Sequence, residues 1–144
     1  MKNTIIIFVS IFIIIISSVY GIYLEFQAEK RQVAKYNLEY ETYLGKTMLG
    51  TEVVTVMNKT IDQNEKNKIL KDEKGYYIEN DENSIKIYLK MITIDKTYIM
   101  EEFYKNGMTT FVKNFNLIEF KCSNIEYHKK TGLVKQMIFE QLEK

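Results

Sequence analysis

Residues 85–92 read Ile-Lys-Ile-Tyr-Leu-Lys-Met-Ile, and their period decides the fold. Ile85, Ile87, Leu89 and Met91 alternate with Lys86, Tyr88, Lys90 and Ile92. Side chains of an extended chain point alternately to opposite faces, so this pattern predicts a half-buried antiparallel strand. Its apolar face belongs to a core. Its other face carries Lys86, Tyr88 and Lys90, a candidate contact surface; antiparallel sheets commonly leave such a face in water.

Working outward, the tetrad Asn80-Asp81-Glu82-Asn83 has the composition of a loop. It is expected to join the strand to a preceding one as a hairpin, with Ile69-Leu70 and Gly75-Tyr76-Tyr77-Ile78 flanking a Lys71-Asp72-Glu73-Lys74 turn. Downstream, Thr97–Asn106 suits a short helix from about Tyr98 to Lys105, ended by Gly107, although Thr97-Tyr98-Ile99 also suits a strand. Ile118–His128 and Leu133–Leu142 are two β-rich runs. Lys129-Lys130-Thr131-Gly132 between them predicts a tight hairpin, with glycine in the left-handed position.

Upstream the period changes to that of a helix. Val53, Val54, Met57 and Ile61 form the apolar face of a helix from about Glu52 to Asn64, with Thr51 as N-cap and Glu52 in the first turn. Before Gly45, Phe26, Val33, Tyr36, Tyr40 and Tyr43 recur at steps of seven, three, four and three, one stripe along a longer helix. These tyrosines read as packing residues, since a phenol ring supplies apolar area and needs one hydroxyl partner.

That longer helix is expected to continue from the strongest signal in the chain. Residues Thr4–Leu24 contain no charge, and at 1.5 Å rise per residue they span about 30 Å, the thickness of a bilayer's hydrocarbon. The reading is a transmembrane anchor over residues 1–24 and an α+β domain over residues 25–144. The tail carries the Met1 amine and Lys2, while Lys30, Arg31 and Lys35 lie beyond the span, interleaved with Glu25 and Glu29. Basic residues alone leave the orientation nearly balanced. The short tail and long folded part set it, placing the C-terminal domain outside the cytoplasm. The alternative is a signal peptide cleaved near Gly21, after Val19-Tyr20-Gly21, which would release a secreted binding module.

Composition narrows the function. With 20 Lys plus Arg against 19 Asp plus Glu, the net charge of +1 argues against a nucleic-acid partner, whose binding needs a basic stripe. One Cys and one His preclude a disulfide framework or a Cys/His zinc cluster within one chain. Cys122 and His128 also fail as a nucleophilic pair, because six residues of one strand separate them by roughly 20 Å. Cys122 reads as a small buried side chain, His128 as a solvated or turn-bonded imidazole. The Glu79, Asp81 and Glu82 loop lacks the glycine and closing glutamate of a calcium loop, and Glu101 and Glu102 are helical neighbours that cannot face each other. No catalytic residue, cofactor site or metal site is assigned.

The stretches Tyr36-Asn37 through Tyr43-Leu44-Gly45-Lys46, Gly50-Thr51-Glu52-Val53 and Asn58-Lys59 resemble small single-pass proteins of low-GC Gram-positive bacteria, described as pilin-like or Tad-type pilus-associated. The order of elements is also similar to type IV pilins, in which the outer half of a membrane-anchored helix packs on an antiparallel sheet. No Glu interrupts the apolar run and Gly21 stands near its far end, so the resemblance implies an anchored subunit without pilin-type processing. Its implied role is a non-enzymatic minor subunit or accessory of a pilus-like or secretion assembly, with protein partners in the cell envelope. The expected architecture is α+β: a transmembrane helix continued as a juxtamembrane helix, a second helix, and an antiparallel sheet of about four strands.

Overall fold

The computed structural model describes residues 2–143; Met1, whose amine enters the topology reading, lies outside them. The chain is α+β and divides into two compact units, Met1–Lys35 and Tyr36–Lys144. From Lys2 onward the first unit is helical, part of a single element α1 (Lys2–Glu41). It holds the one helix long and apolar enough to cross a membrane among the described residues. Along it Ser10 and Ser18 return their hydroxyls to the carbonyls of Ile6 and Ile14, so neither polar group is left free.

The second unit begins at Tyr36 and contains the last turns of α1. Its elements are β1 (Thr47–Leu49), α2 (Gly50–Lys66), β2 (Lys86–Met91), β3 (Lys96–Ile99), α3 (Met100–Asn106), α4 (Met108–Phe115), β4 (Glu119–Tyr127) and β5 (Val134–Gln141). The strands form one sheet in the order β1-β4-β5-β2-β3. Two antiparallel hairpins, β2–β3 and β4–β5, are joined side by side through a parallel pairing of β2 with β5, in which Lys86 opposes Gln136 and Lys90 opposes Glu140. The sheet is therefore mixed and five-stranded, not antiparallel and four-stranded. Period two fixes which face a strand buries, but nothing in it distinguishes a parallel from an antiparallel neighbour.

One face of the sheet is covered. Ile87, Leu89 and Met91 of β2, Phe120 and Cys122 of β4, and Met137 and Phe139 of β5 share a core with Val53, Val56 and Met57 of α2, Met100 of α3 and Phe111 of α4. Phe111 stacks at tilted or edge-on angles on Phe103, Phe115 and Phe120, tying both short helices to the sheet. Of the aromatic stripe on α1, Tyr40 is buried, Val33, Tyr36 and Tyr43 are half-buried, and Phe26 is exposed. In the second unit the stripe thus packs only through its last three tyrosines.

Several local readings change. Thr51 is not the cap of α2. The helix starts at Gly50, whose N–H donates to Ile118 O (3.0 Å), and the Glu52 carboxylate accepts from the N–H of the cap residue Leu49 (2.8 Å). The stretch around Thr97-Tyr98-Ile99 is both structures in succession: β3 ends at Ile99 and α3 begins at Met100. Gly107, at φ +89°, then separates α3 from α4, a helix that the sequence reading passed over. Residues 69–78 do not form a hairpin with β2. They fold back on themselves through a single bridge, Lys71 to Tyr77, while β2 takes β3 and β5 as neighbours. Within β4–β5 the pairing slips between Cys122 and Asn124, so Ser123 is an extra residue and the buried positions step from Cys122 to Ile125.

Two side chains fix where the parallel strands begin. Asn64 of α2 donates its amide to Ile85 O (2.7 Å) and accepts from Ile85 N–H (2.9 Å). Asn37 of α1 donates to Gly132 O (2.7 Å) and accepts from Val134 N–H (3.0 Å). Each amide imitates a strand neighbour just before the first β2–β5 pair, Lys86 with Gln136.

The close approach of α2 to the end of α4 gives a direct test. A Cβ at Gly50 would stand 2.0 Å from the backbone carbonyl oxygen of Phe115, which no side-chain rotation relieves. A fragment of residues 25–144 should be soluble, with a mixed helix–sheet circular dichroism spectrum and a cooperative urea transition, since the whole core lies after residue 35. Gly50→Ala in that fragment should lower stability by about 1–3 kcal/mol. An unchanged midpoint would show that α4 is not seated there.

Candidate functional site

The candidate surface is the uncovered face of the sheet. Lys86, Tyr88 and Lys90 share it by alternation, and their register partners Gln136, Ile138 and Glu140 on β5 continue it. The three residues meet different surroundings. Lys90 is exposed and reaches Glu140 across the parallel pair at 3.3 Å. Tyr88 is half-buried; burial first, then the carboxylates of Glu79 and Glu101, hold its phenol above the ordinary range.

Lys86 is not on the surface at all. Its side chain is 11% exposed and its ammonium lies 3.0 Å from Glu101 Oε1, on a carboxylate side chain that is 4% exposed. The same oxygen accepts the N–H of Tyr77 at 3.2 Å. Glu101 Oε2 is buried with no hydrogen-bond partner. Sequence reasoning missed this pair because Lys86 and Glu101 lie on different elements. The one available signal was a lysine next to Ile85 and Ile87, at the first position of the strand, where a neighbouring element can close over it.

Other polar residues are engaged in holding loops. Asn80 Oδ1 accepts from the N–H groups of Glu82, Asn83 and Ser84. In the loop weighed for calcium, Glu79 pairs with Lys135 and Glu82 with Lys130, so two of its carboxylates already face lysines. Among the described residues no three His, Cys, Asp or Glu side chains converge on a point where a metal ion could sit.

His128 is buried, not solvated. Its Nε2 is 2.7 Å from Ser84 O, and its backbone closes the β4–β5 turn with Leu133 and Gly132, the last at φ +73°. The loop of residues 80–84 closes over the ring, which supplies the carbonyl that a lone imidazole needs. Cys122 is buried on the core face, with Sγ 3.8 Å from Asn124 O; burial pushes its thiol up to about 11. No hydrogen bond joins it to His128 among the described residues.

A shallow cleft of about 160 Å³ lies elsewhere, between α3 and α4, lined by Phe103, Gly107, Thr110, Phe111, Asn114 and Phe115. Its lining carries no titratable group. No protein-family model, curated protein or solved structure matches the chain.

Two outcomes are expected. Lys86→Met or Glu101→Leu alone should cost about 3–5 kcal/mol, because each strands a buried charge, whereas the double substitution should recover most of that loss, short only of the Tyr77 N–H that Glu101 no longer accepts. Additive losses in a urea-melt cycle would mean that the pair is not desolvated. Cys122, as a buried neutral thiol, should resist a disulfide reagent at neutral pH and react at once in denaturant; prompt labelling of the native chain would contradict its burial.

Proposed function

We propose that the chain is a non-enzymatic, single-pass membrane protein that presents its α+β domain outside the cytoplasm, as a minor subunit or accessory of a pilus-like or secretion assembly. The observation that carries this reading is the exposure of α1. From Ile5 to Leu24 its large apolar side chains are 49–68% exposed, and its apolar window is 0% buried. A run of that length left uncovered in water is unfavourable; inside a bilayer it is solvated by lipid. Tyr20 and Tyr23 close the run where aromatic rings commonly sit at the membrane–water boundary.

The non-enzymatic part is supported by where the reactive side chains go. Cys122 packs in the core, His128 clamps a loop, and Glu101 is spent on Lys86. The uncovered sheet face around Tyr88 and Lys90 is the surface proposed to meet neighbouring subunits. The second reading, a secreted binding module released near Gly21, is supported by the small residue there after an apolar run.

Intact mass and cell fractionation separate the two. The anchored reading expects a chain retaining Lys2, held in membranes through carbonate extraction, with residues beyond 35 digested by protease added to intact cells. A mature chain beginning at Ile22 and found in the medium would replace it with the secreted module. Protection from external protease would reverse the orientation.

A further inference from the structure

The turns of α1 that follow the apolar run are charged on two sides. Five ionisable residues stand between that run and the second unit: Glu25, Glu29, Lys30, Arg31 and Lys35, all exposed. At about 100° per residue, Glu25 and Glu29 project within roughly 40° of each other, while Lys30, Arg31 and Lys35 share an arc of about 140°. The centres of the two arcs are about 170° apart. The helix therefore carries an acidic face and a basic face back to back.

Neither face is neutralised within the chain. The ion pairs among the described residues all use other lysines, from Lys46 to Lys135, and other carboxylates. Lys30 lies over the Phe26 ring at 4.4 Å, a contact that holds the side chain without cancelling its charge. The spacing within each face is also unfavourable for a solitary helix. Glu25 and Glu29, and again Arg31 and Lys35, are like charges four residues apart, where opposite signs would have stabilised it. Charges sorted in this way repel along one helix and complement one another between two.

We propose that these faces bind one another across copies of the chain, the face of Glu25 and Glu29 on one helix meeting the face of Lys30, Arg31 and Lys35 on the next. The partner is a second copy because a single helix already carries both halves of the contact. The pairing rests on the anchored reading, since the uncharged run Thr4–Leu24 must sit at one depth in every copy. Copies inserted the same way are then parallel and level, which puts Glu29 within about 3 Å, along the axis, of a neighbour's Lys30 and Arg31. A two-fold contact through the centre of either face would set like charge on like. A heterologous contact sets acid on base and leaves each copy one free face of either sign, so association continues past a dimer into rows or rings. Single exposed ion pairs are weak, but a bilayer holds the helices parallel and locally concentrated, so several weak pairs act together.

Zero-length carbodiimide crosslinking, which joins a carboxylate to a touching amine, tests the pairing on the full chain in phosphatidylcholine vesicles. A ladder of dimers, trimers and larger species should form. In a mixture of isotope-labelled and unlabelled copies, mass spectrometry should find Glu25 or Glu29 of one joined to Lys30 or Lys35 of the other. Raising the salt from ~0.1 M to ~1 M, which shortens the screening length from about 10 to 3 Å, should thin the ladder several-fold. Glu25→Lys with Glu29→Lys makes both faces basic; Lys30→Glu with Arg31→Glu and Lys35→Glu makes both acidic. All five positions precede the second unit, so its core is untouched. Each variant alone should lose the ladder, and an equal mixture of the two should regain it. A ladder that stops at dimers, one that survives in either variant alone, or a mixture that stays monomeric overturns the pairing. So does a ladder that forms only once anionic phosphatidylglycerol is added, because headgroups would then be holding the basic face. Vesicle flotation keeps the two readings apart: a chain that floats without a ladder overturns the pairing alone, and one that does not float overturns the anchor as well.

Discussion

Two asparagine amides hold the ends of a parallel strand pair, and the sheet is organised around that pair. β2 and β5 start at the same end of the sheet, where each has a backbone N–H and C=O that the ladder does not reach. Asn64 satisfies Ile85 and Asn37 satisfies Gly132 and Val134, each with one donor and one acceptor on the same side chain. Because Asn64 stands on α2 and Asn37 on α1, these four hydrogen bonds also set the heights of both helices against the sheet. A shift of either strand by one residue would leave buried polar groups unpaired and turn its apolar side chains outward.

The legible parts of the fold are those encoded locally. The alternation of residues 85–92, the Lys129–Gly132 turn and the Val53/Val54/Met57/Ile61 face each announce an element, and each element is present. What could not be read is which elements meet. The parallel contact of β2 with β5 joins segments far apart in the chain, and β1, only three residues long, exists because β4 offers it an edge. The segment before β2 illustrates the same limit: Tyr76-Tyr77-Ile78 has the composition of a strand, but its backbone finds Leu70, Asp72 and Glu101 instead of β2. For the candidate surface, alternation assigned Lys86, Tyr88 and Lys90 to one face; that Lys86 is covered depends on Glu101, a residue from the other side of β3.

Charge is distributed accordingly. Lysines and acidic residues nearly balance in number, and much of that balance is realised as specific pairs: Lys59 with Glu39 between the two long helices, Lys130 with Glu82 between turn and loop, Lys135 with Glu79 between β5 and the segment before β2. Most are exposed or half-exposed and adjust at small cost; Lys86–Glu101 alone among those described is desolvated on both sides. A surface made of small, mutually cancelling pairs presents no broad field, which suits short-range recognition by shape better than long-range attraction.

The parallel pairing also fixes when the domain can form. Lys90 and Glu140 face each other across 50 residues of chain, and β5 is the last strand to be made. Until it emerges, β2 has only β3 beside it, β4 lacks its hairpin partner, and Asn37 has no strand to hold. Non-local contacts of this kind are slow to close, because loop entropy must be overcome before they stabilise anything. The topology thus couples both hairpins to a single step, closure of the β2–β5 pair, before which neither β2 nor β5 has its second neighbour.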